Sequence, residues 1–248
     1  MRCFSKLKKL LYILQKLCQL IKSQVRLALF DMDGVLYDSM PNHARAWHES
    51  MSSYGINMTE QEAYACEGMR GVEVIMELAR RQWGREITES EAEEMYRAKS
   101  AAYAAIGAPT FVPGILDVHA ALRSLGIHIG VVTGSGQKTL LSRLASDFGD
   151  TLTPGLIVSA RDVSHGKPAP DPYLQGIRKA GQLLGKEILP EQTIVIENAP
   201  LGVRSAVAAG CFTIAVNTGP LPDEALRKEG AAMVLPDMKS LTAALLSA

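Results

Sequence analysis

VRLALFDMDGVLYDSM, residues Val25 to Met40, sets two aspartates, Asp31 and Asp33, directly behind an apolar run. Val25, Leu27, Ala28, Leu29 and Phe30 read as a strand covered on both faces, as in a parallel sheet. Gly34 then permits a sharp turn. Side chains at i and i+2 of an extended chain point to one side. The two carboxylates therefore share a small space at the carboxyl end of a strand, where open α/β sheets place their ligands. Like charges that close repel unless a cation or proton lies between them. The arrangement asks for a metal ion.

Further strands are expected at Ile127–Thr133, Leu156–Ser159, Thr193–Ile196, Thr213–Val216 and Met233–Leu235, with helices including Ile115–Leu125, Thr139–Phe148, Pro172–Leu184 and Leu201–Ala209. Gly126 and Gly210 serve as helix stops. Strand–helix alternation of this kind predicts an α/β fold, a Rossmann-like parallel sheet with helices on both faces. From Pro41 to about Phe111 the rhythm breaks: three segments read as helices and none as a strand, with Thr88 and Glu91 forming a capping-box pattern. The expected organisation is a core of residues 25–40 and 113–248 with an inserted α-helical cap at 41–112. Crossings near Tyr37–Pro41 and Pro109–Pro113 would form a hinge, letting the cap close over the sheet edge.

Residues 1–24 form a basic amphipathic N-terminal extension, with Leu7, Leu10, Leu11, Leu14, Leu17 and Ile21 at helical spacing among lysines. Lysines and glutamines interrupt it too often for a membrane span, and it lacks a signal-peptide core and cleavage site. It reads as an extension that adds nothing to the fold, or as an interfacial helix, the one route to membrane contact. The chain of 248 residues is 47% apolar and 21% charged with zero net charge, so nothing global points to nucleic acid. Four scattered cysteines without zinc spacing suit a reducing, cytoplasmic setting. A monomer or weak oligomer is expected.

Three later strand ends carry polar groups. In IGVVTGSGQ, Thr133 supplies a hydroxyl, and Gly134 and Ser135 lead into a helix, offering an anion site. In HGKPAPDPY, Lys167 sits in a loop held extended by prolines, able to neutralise a carboxylate and a phosphate. In TIVIENAPLG, Glu197 and Asn198 offer oxygen ligands suited to Mg²⁺. Alone, each is also an ordinary turn, loop charge or cap. Together they supply carboxylates, a hydroxyl with amides, an ammonium and metal ligands at four strand ends, which a parallel sheet brings to one edge.

These segments resemble the four motifs of the haloacid dehalogenase-like hydrolase superfamily, and FDMDGVLYDSMPNHARAWHE is closer still to its β-phosphoglucomutase-like branch with a small helical cap. The resemblance implies that Asp31 is the nucleophile and forms an aspartyl-phosphate. It implies that Asp33 is the acid–base and gives its main-chain carbonyl to Mg²⁺. Thr133, Gly134, Ser135 and Lys167 would hold the phosphoryl oxygens, and Asp31, Asp33, Glu197 and Asn198 would bind the metal. His43, Trp47 and Arg70 become candidate cap contacts to substrate.

Two residues depart from the family pattern. Asn198 stands where Asp is common, which keeps an oxygen but removes a charge. Gly136 stands about where β-phosphoglucomutases carry a lysine, with Lys138 two further on, which weakens a second phosphate grip. The expected function is Mg²⁺-dependent hydrolysis of a small phosphorylated metabolite, first of all a sugar phosphate. A phosphosugar mutase of the β-phosphoglucomutase type is the near alternative. A phospho-accepting signalling module is the alternative of another class; the long insert favours an enzyme. A dehalogenase would need neither Asp33 nor Glu197.

Overall fold

The computed structural model describes residues 21, 24–135 and 138–246, with residues 138–140 described by backbone alone. The reading of residues 1–24 thus lies outside the described residues except at Gln24 and at Ile21, which packs into the main core. Among the described residues no helix is long and apolar enough to cross a membrane.

Six parallel strands, β1 (Leu27–Phe30), β2 (His128–Val132), β3 (Ile157–Val158), β4 (Thr193–Glu197), β5 (Phe212–Val216) and β6 (Met233–Leu235), lie in the order β3-β2-β1-β4-β5-β6. The strand carrying the aspartates is central, as expected for a run buried at all four positions. Ala28 and Phe30 face one apolar cluster, and Leu27 and Leu29 face the other. Burying each such large side chain contributes roughly 1.5–3 kcal/mol. Register then places the site. Phe30 pairs with Val131 and with Ile196, so Asp31 lies level with Val132 and Glu197.

Between β1 and β2 the chain forms α1 (Met40–Ser52), α2 (Glu60–Ala65), α3 (Gly71–Trp83), α4 (Glu89–Ile106) and α5 (Ile115–Ser124). The first four enclose an apolar cluster of their own around Trp47, Met51, Tyr64, Ile75, Leu78 and Met95. Thr88 and Glu91 make the expected capping box. Thr59 and Glu62 make a second one, which starts α2, a helix of six residues too short for periodicity to reveal. The later helices are α6 (Lys138–Phe148), α7 (Asp171–Leu184), α8 (Pro200–Ala208), α9 (Asp223–Lys228) and α10 (Met238–Leu246). The two crossings between sheet and insert pair with each other. Asp38 N donates to Thr110 O at 2.9 Å and Val112 N to Leu36 O at 3.0 Å, around an antiparallel bridge of Tyr37 with Phe111.

Candidate active site

Asp31 follows the last residue of β1 and is buried. Lys167, from the proline-held loop before α7, reaches it: Nζ donates to Asp31 Oδ1 and, at 2.7 Å, to Glu197 Oε1. All three side chains are almost wholly shielded from water. Unpaired buried charge costs several kcal/mol, so this pairing is obligatory. Glu197 is held from every side. Oε1 also accepts from Tyr173 OH at 2.8 Å, and Oε2 accepts from the amides of Asn198 and Ala199 at 2.9 and 3.1 Å. Each Glu197 oxygen thus has two donors, which suits it to fix Lys167. One ammonium shared by two carboxylates leaves Asp31 under-compensated. Burial, opposed by Lys167 and reinforced by Glu197 and Asp33, raises its pKa.

Asp33 lies on the turn after β1. Its Oδ1 accepts from Ser39 Oγ at 2.6 Å and lies 3.2 Å from His43 Nε2. Lys99 Nζ lies 2.7 Å from His43 Nδ1. A protonated lysine can only donate, so Nδ1 accepts, Nε2 carries the hydrogen, and the imidazole donates to Asp33. Burial would raise Asp33, but His43, Ser39 and Lys99 outweigh it and hold the carboxyl below its usual range. Lys99 itself is buried among Trp47, Tyr96 and Tyr103, with ring centroids 5.1, 5.9 and 5.2 Å from its ammonium. Burial, offset in part by Asp33, Cys66 and Glu67, lowers it to about 8.

Thr133 directly follows β2, and its Oγ1 accepts from Ser135 N at 3.0 Å, which shapes the loop. Gly134 is exposed and faces the insert: a Cβ there would come within 3.3 Å of Gly68 O. A Cβ on Gly68, whose φ is +90°, would lie 3.1 Å from the Lys167 side chain. Insert and sheet edge are thus in backbone contact at these two glycines. Arg70 stands at the rim, half exposed, 3.6 Å from both Glu73 and Glu89. His43 and Trp47 line the cavity between insert and sheet. Lys138 has no described side chain.

That cavity measures about 80 Å³ and is lined by Asp31, Asp33, Glu67, Lys99, Gly134 and Ser135 among others. Among the described residues no three His, Cys, Asp or Glu side chains converge on one point as a metal cage. An oxygen set of mixed type is nevertheless present. Asn198 Oδ1 and Glu67 Oε1 are both buried without a hydrogen-bond partner. Asn198 Nδ2 lies 3.3 Å from Glu67 Oε2, which aligns the two groups. Burial and the neighbouring Asp31, Asp33 and Glu197 raise the Glu67 pKa well above the carboxylate range. Buried oxygens without partners are costly, and a hard cation is one group that satisfies them. The residues present fit Mg²⁺.

Sequence reading singled out neither Glu67 nor Lys99. Glu67 adjoins Gly68 in a short turn whose approach to the sheet depends on how the insert docks. Lys99 carried a usable signal: Ala92, Met95, Lys99 and Tyr103 are the buried positions of α4, so a lysine occupies an apolar stripe. Tyr173 and Ser39 carry no such signal, because a buried hydroxyl has no pattern of its own.

Residues 25–210 match the model of the haloacid dehalogenase-like hydrolase family. Hexitol phosphatase A of Escherichia coli is 32% identical over 214 residues, covering 86% of this chain and 92% of that protein. A fructose-1-phosphate phosphatase of the same organism is 28% identical over 193 residues, covering 76% and 94%. A putative β-phosphoglucomutase from Bacteroides vulgatus superposes with a TM-score of 0.82 at 43% identity, covering 90% of each chain. On this match, with the same strand-end motifs gathered at one sheet edge, the chain belongs to the haloacid dehalogenase-like hydrolase family.

Proposed function

We propose that this chain hydrolyses a small phosphorylated metabolite through an aspartyl-phosphate on Asp31. The observation that carries the reading is the convergence of Asp31 on Lys167 and of Asp33 on Ser39 and His43, with both aspartates and His43 lining one cavity. Asp31 attacks phosphorus, and its bond to phosphorus forms as the bond to the leaving oxygen breaks. Asp33, ionised before substrate binds, takes up the proton that a phosphate monoanion brings, gives it to the leaving oxygen, and then takes one from the water that cleaves the acyl phosphate. Thr133, the Gly134 amide, Ser135 and Lys167 hold the transferring oxygens. Mg²⁺, when bound, neutralises phosphoryl charge. Asp31, the main-chain carbonyl of Asp33, Asn198 and Glu67 would hold it, with Glu197 behind them through Lys167. The helices of residues 41–112 act as a cap that closes over the site. Free thiols at Cys66 and Cys211 support a cytoplasmic setting.

The names of the relatives favour a sugar or polyol phosphate as substrate. One observation favours a smaller leaving group. The cavity between insert and sheet, about 80 Å³, lies below the roughly 300 Å³ at which ordinary ligand pockets begin. A short polyol or a second phosphate fits such a space better than a hexose. A mutase must also reorient a bisphosphate there, so the size favours hydrolysis.

Phosphate release should be assayed with Mg²⁺ on inorganic pyrophosphate, glycerol phosphates, and hexose and hexitol phosphates, with isomer formation followed from β-glucose 1-phosphate. Multiple turnovers that fall as the leaving group grows, and that vanish in Asp31→Asn with the fold intact, are expected. Full activity in Asp31→Asn removes the nucleophile. A persistent phosphorylated state without turnover supports a signalling module instead.

A further inference from the structure

Two side chains of α6 grip both connections between sheet and insert, and nothing in the chemistry above uses them. Asp147 Oδ2 accepts from Tyr37 OH, on the outgoing connection, at 2.9 Å. Arg143 Nε donates to the same Asp147 oxygen at 3.0 Å. Arg143 Nη2 donates to Pro109 O, on the returning connection, at 2.7 Å. The guanidinium also lies 4.9 Å from the Tyr37 ring centroid, and that ring packs on Phe111 and Phe148. The guanidinium's planar fork holds two acceptors in fixed directions, which a flexible ammonium does not do.

The gripped positions lie close to the chemistry. Tyr37 O accepts from Gly34 N at 2.7 Å and lies 3.4 Å from Ser39 Oγ, whose one hydrogen goes to Asp33. A rotation about residues 37–39 therefore moves both the insert and the donor that orients Asp33. In sequence, α6 follows the loop of Thr133–Ser135, so the helix that fixes the hinge is the one attached to the phosphoryl-binding loop.

We infer that Arg143 and Asp147 are positioning residues. By latching Tyr37 and Pro109 to α6, they set the closed angle at which His43, Lys99 and Glu67 of the insert meet Asp33 and Asn198. The inference rests on the cap reading above. It also goes beyond it, because it assigns closure to a four-residue network outside the cavity.

The test uses the full chain and the variants Arg143→Met, Asp147→Asn and Tyr37→Phe. Trp47 lines the cavity, so its acrylamide quenching, read in a Trp83→Phe background, reports closure without turnover. Orthovanadate reports the phosphoryl site, and p-nitrophenyl phosphate reports catalysis. We expect Trp47 quenching to rise at least twofold in Arg143→Met and Asp147→Asn and kcat to fall about tenfold. Vanadate affinity should stay within twofold, and Tyr37→Phe should move the same way by less. A purely structural role would lower melting temperature and leave Trp47 quenching of the folded protein unchanged; that result overturns the inference. So does unchanged kcat with unchanged quenching. If wild-type protein turns over no phosphoester, the phosphatase reading fails alone, and the quenching arm still decides the latch.

Discussion

Asn198 Nδ2 stands 3.3 Å from Glu67 Oε2, so the end of β4 and a turn of the insert meet beside the cavity that Glu67 lines. The neutral amide at 198 makes this approach possible. A carboxylate there would face Glu67 as a buried like charge, which repels unless a cation intervenes. The charge absent from the strand end can thereby be supplied by the insert, once a bound cation displaces the proton that burial favours on Glu67. Ligand charge tunes affinity for hard cations, and a tenfold change is about 1.4 kcal/mol. Glu67→Gln should weaken Mg²⁺ binding about tenfold or more by calorimetry, and Asn198→Asp should tighten it. The double variant, which moves the charge back to the strand end, should return toward wild type. Mn²⁺ binding followed by electron paramagnetic resonance gives a second readout. Identical affinities in all four proteins would remove both residues from the metal site.

The chain from Lys99 through His43 to Asp33 predicts an alkaline limit to activity. Lys99 is lowered to about 8, chiefly by burial. Below that pH its ammonium donates to His43 Nδ1 and fixes the tautomer that donates to Asp33; above it the donor weakens. The kcat profile should fall on the alkaline side with a midpoint near 8. Lys99→Met should lower kcat by roughly tenfold, within the range of general acid–base effects, and should flatten that limb. An unchanged limb in Lys99→Met would assign it to another group.

Gly202, in the first turns of α8, backs directly onto Glu197: a Cβ there would overlap the carboxylate. The helix needs this glycine to come close enough for Glu197 to hold Lys167. Gly202→Ala should therefore displace Glu197, release one partner of a buried ammonium, and cost about 3 kcal/mol or more in denaturant unfolding. Activity should fall with it. Wild-type stability would mean that the carboxylate has room that the packing does not show.

Much of this was legible beforehand. Leu27–Phe30 forms as a strand at the expected bounds because a run buried on both faces leaves little choice of state, and the edge strand Met233–Leu235 also forms at its expected bounds. Asp31 and Glu197 come level because a parallel sheet aligns strand ends, and the proline-held loop after β3 carries Lys167 to both. The contribution of the insert was harder to read. His43 reaches Asp33 from ten residues away on the adjoining helix, whereas the family resemblance marks it only as a cap contact to substrate. Glu67 and Lys99 reach the site only through the docking angle of four helices, which no local pattern encodes. Arg70, a candidate by position, pairs with Glu73 and Glu89 and lines a small hollow with Thr133, Gly134 and Lys167.

Acid stability offers a test away from the site. His119 on α5 is fully buried, edge-on to Phe30 at 4.9 Å, with Nδ1 2.8 Å from Thr151 Oγ1 and Nε2 without a partner. Burial, aided by Arg123, pushes it down to about 4 from 6.5. Between these values the unfolded chain binds a proton that the folded chain refuses. Stability therefore rises with pH across that window, and it is lost as pH falls from about 6.5 toward 4. The linked change is of order 3 kcal/mol at most, at about 1.4 kcal/mol per pKa unit. The His119→Gln variant removes the titrating group and keeps a partner for Thr151. Its unfolding free energy should start lower at pH 7, yet drop by at least 1 kcal/mol less than wild type between pH 7 and pH 4.5. Parallel curves for the two proteins would show that His119 does not control the acid side of the stability profile.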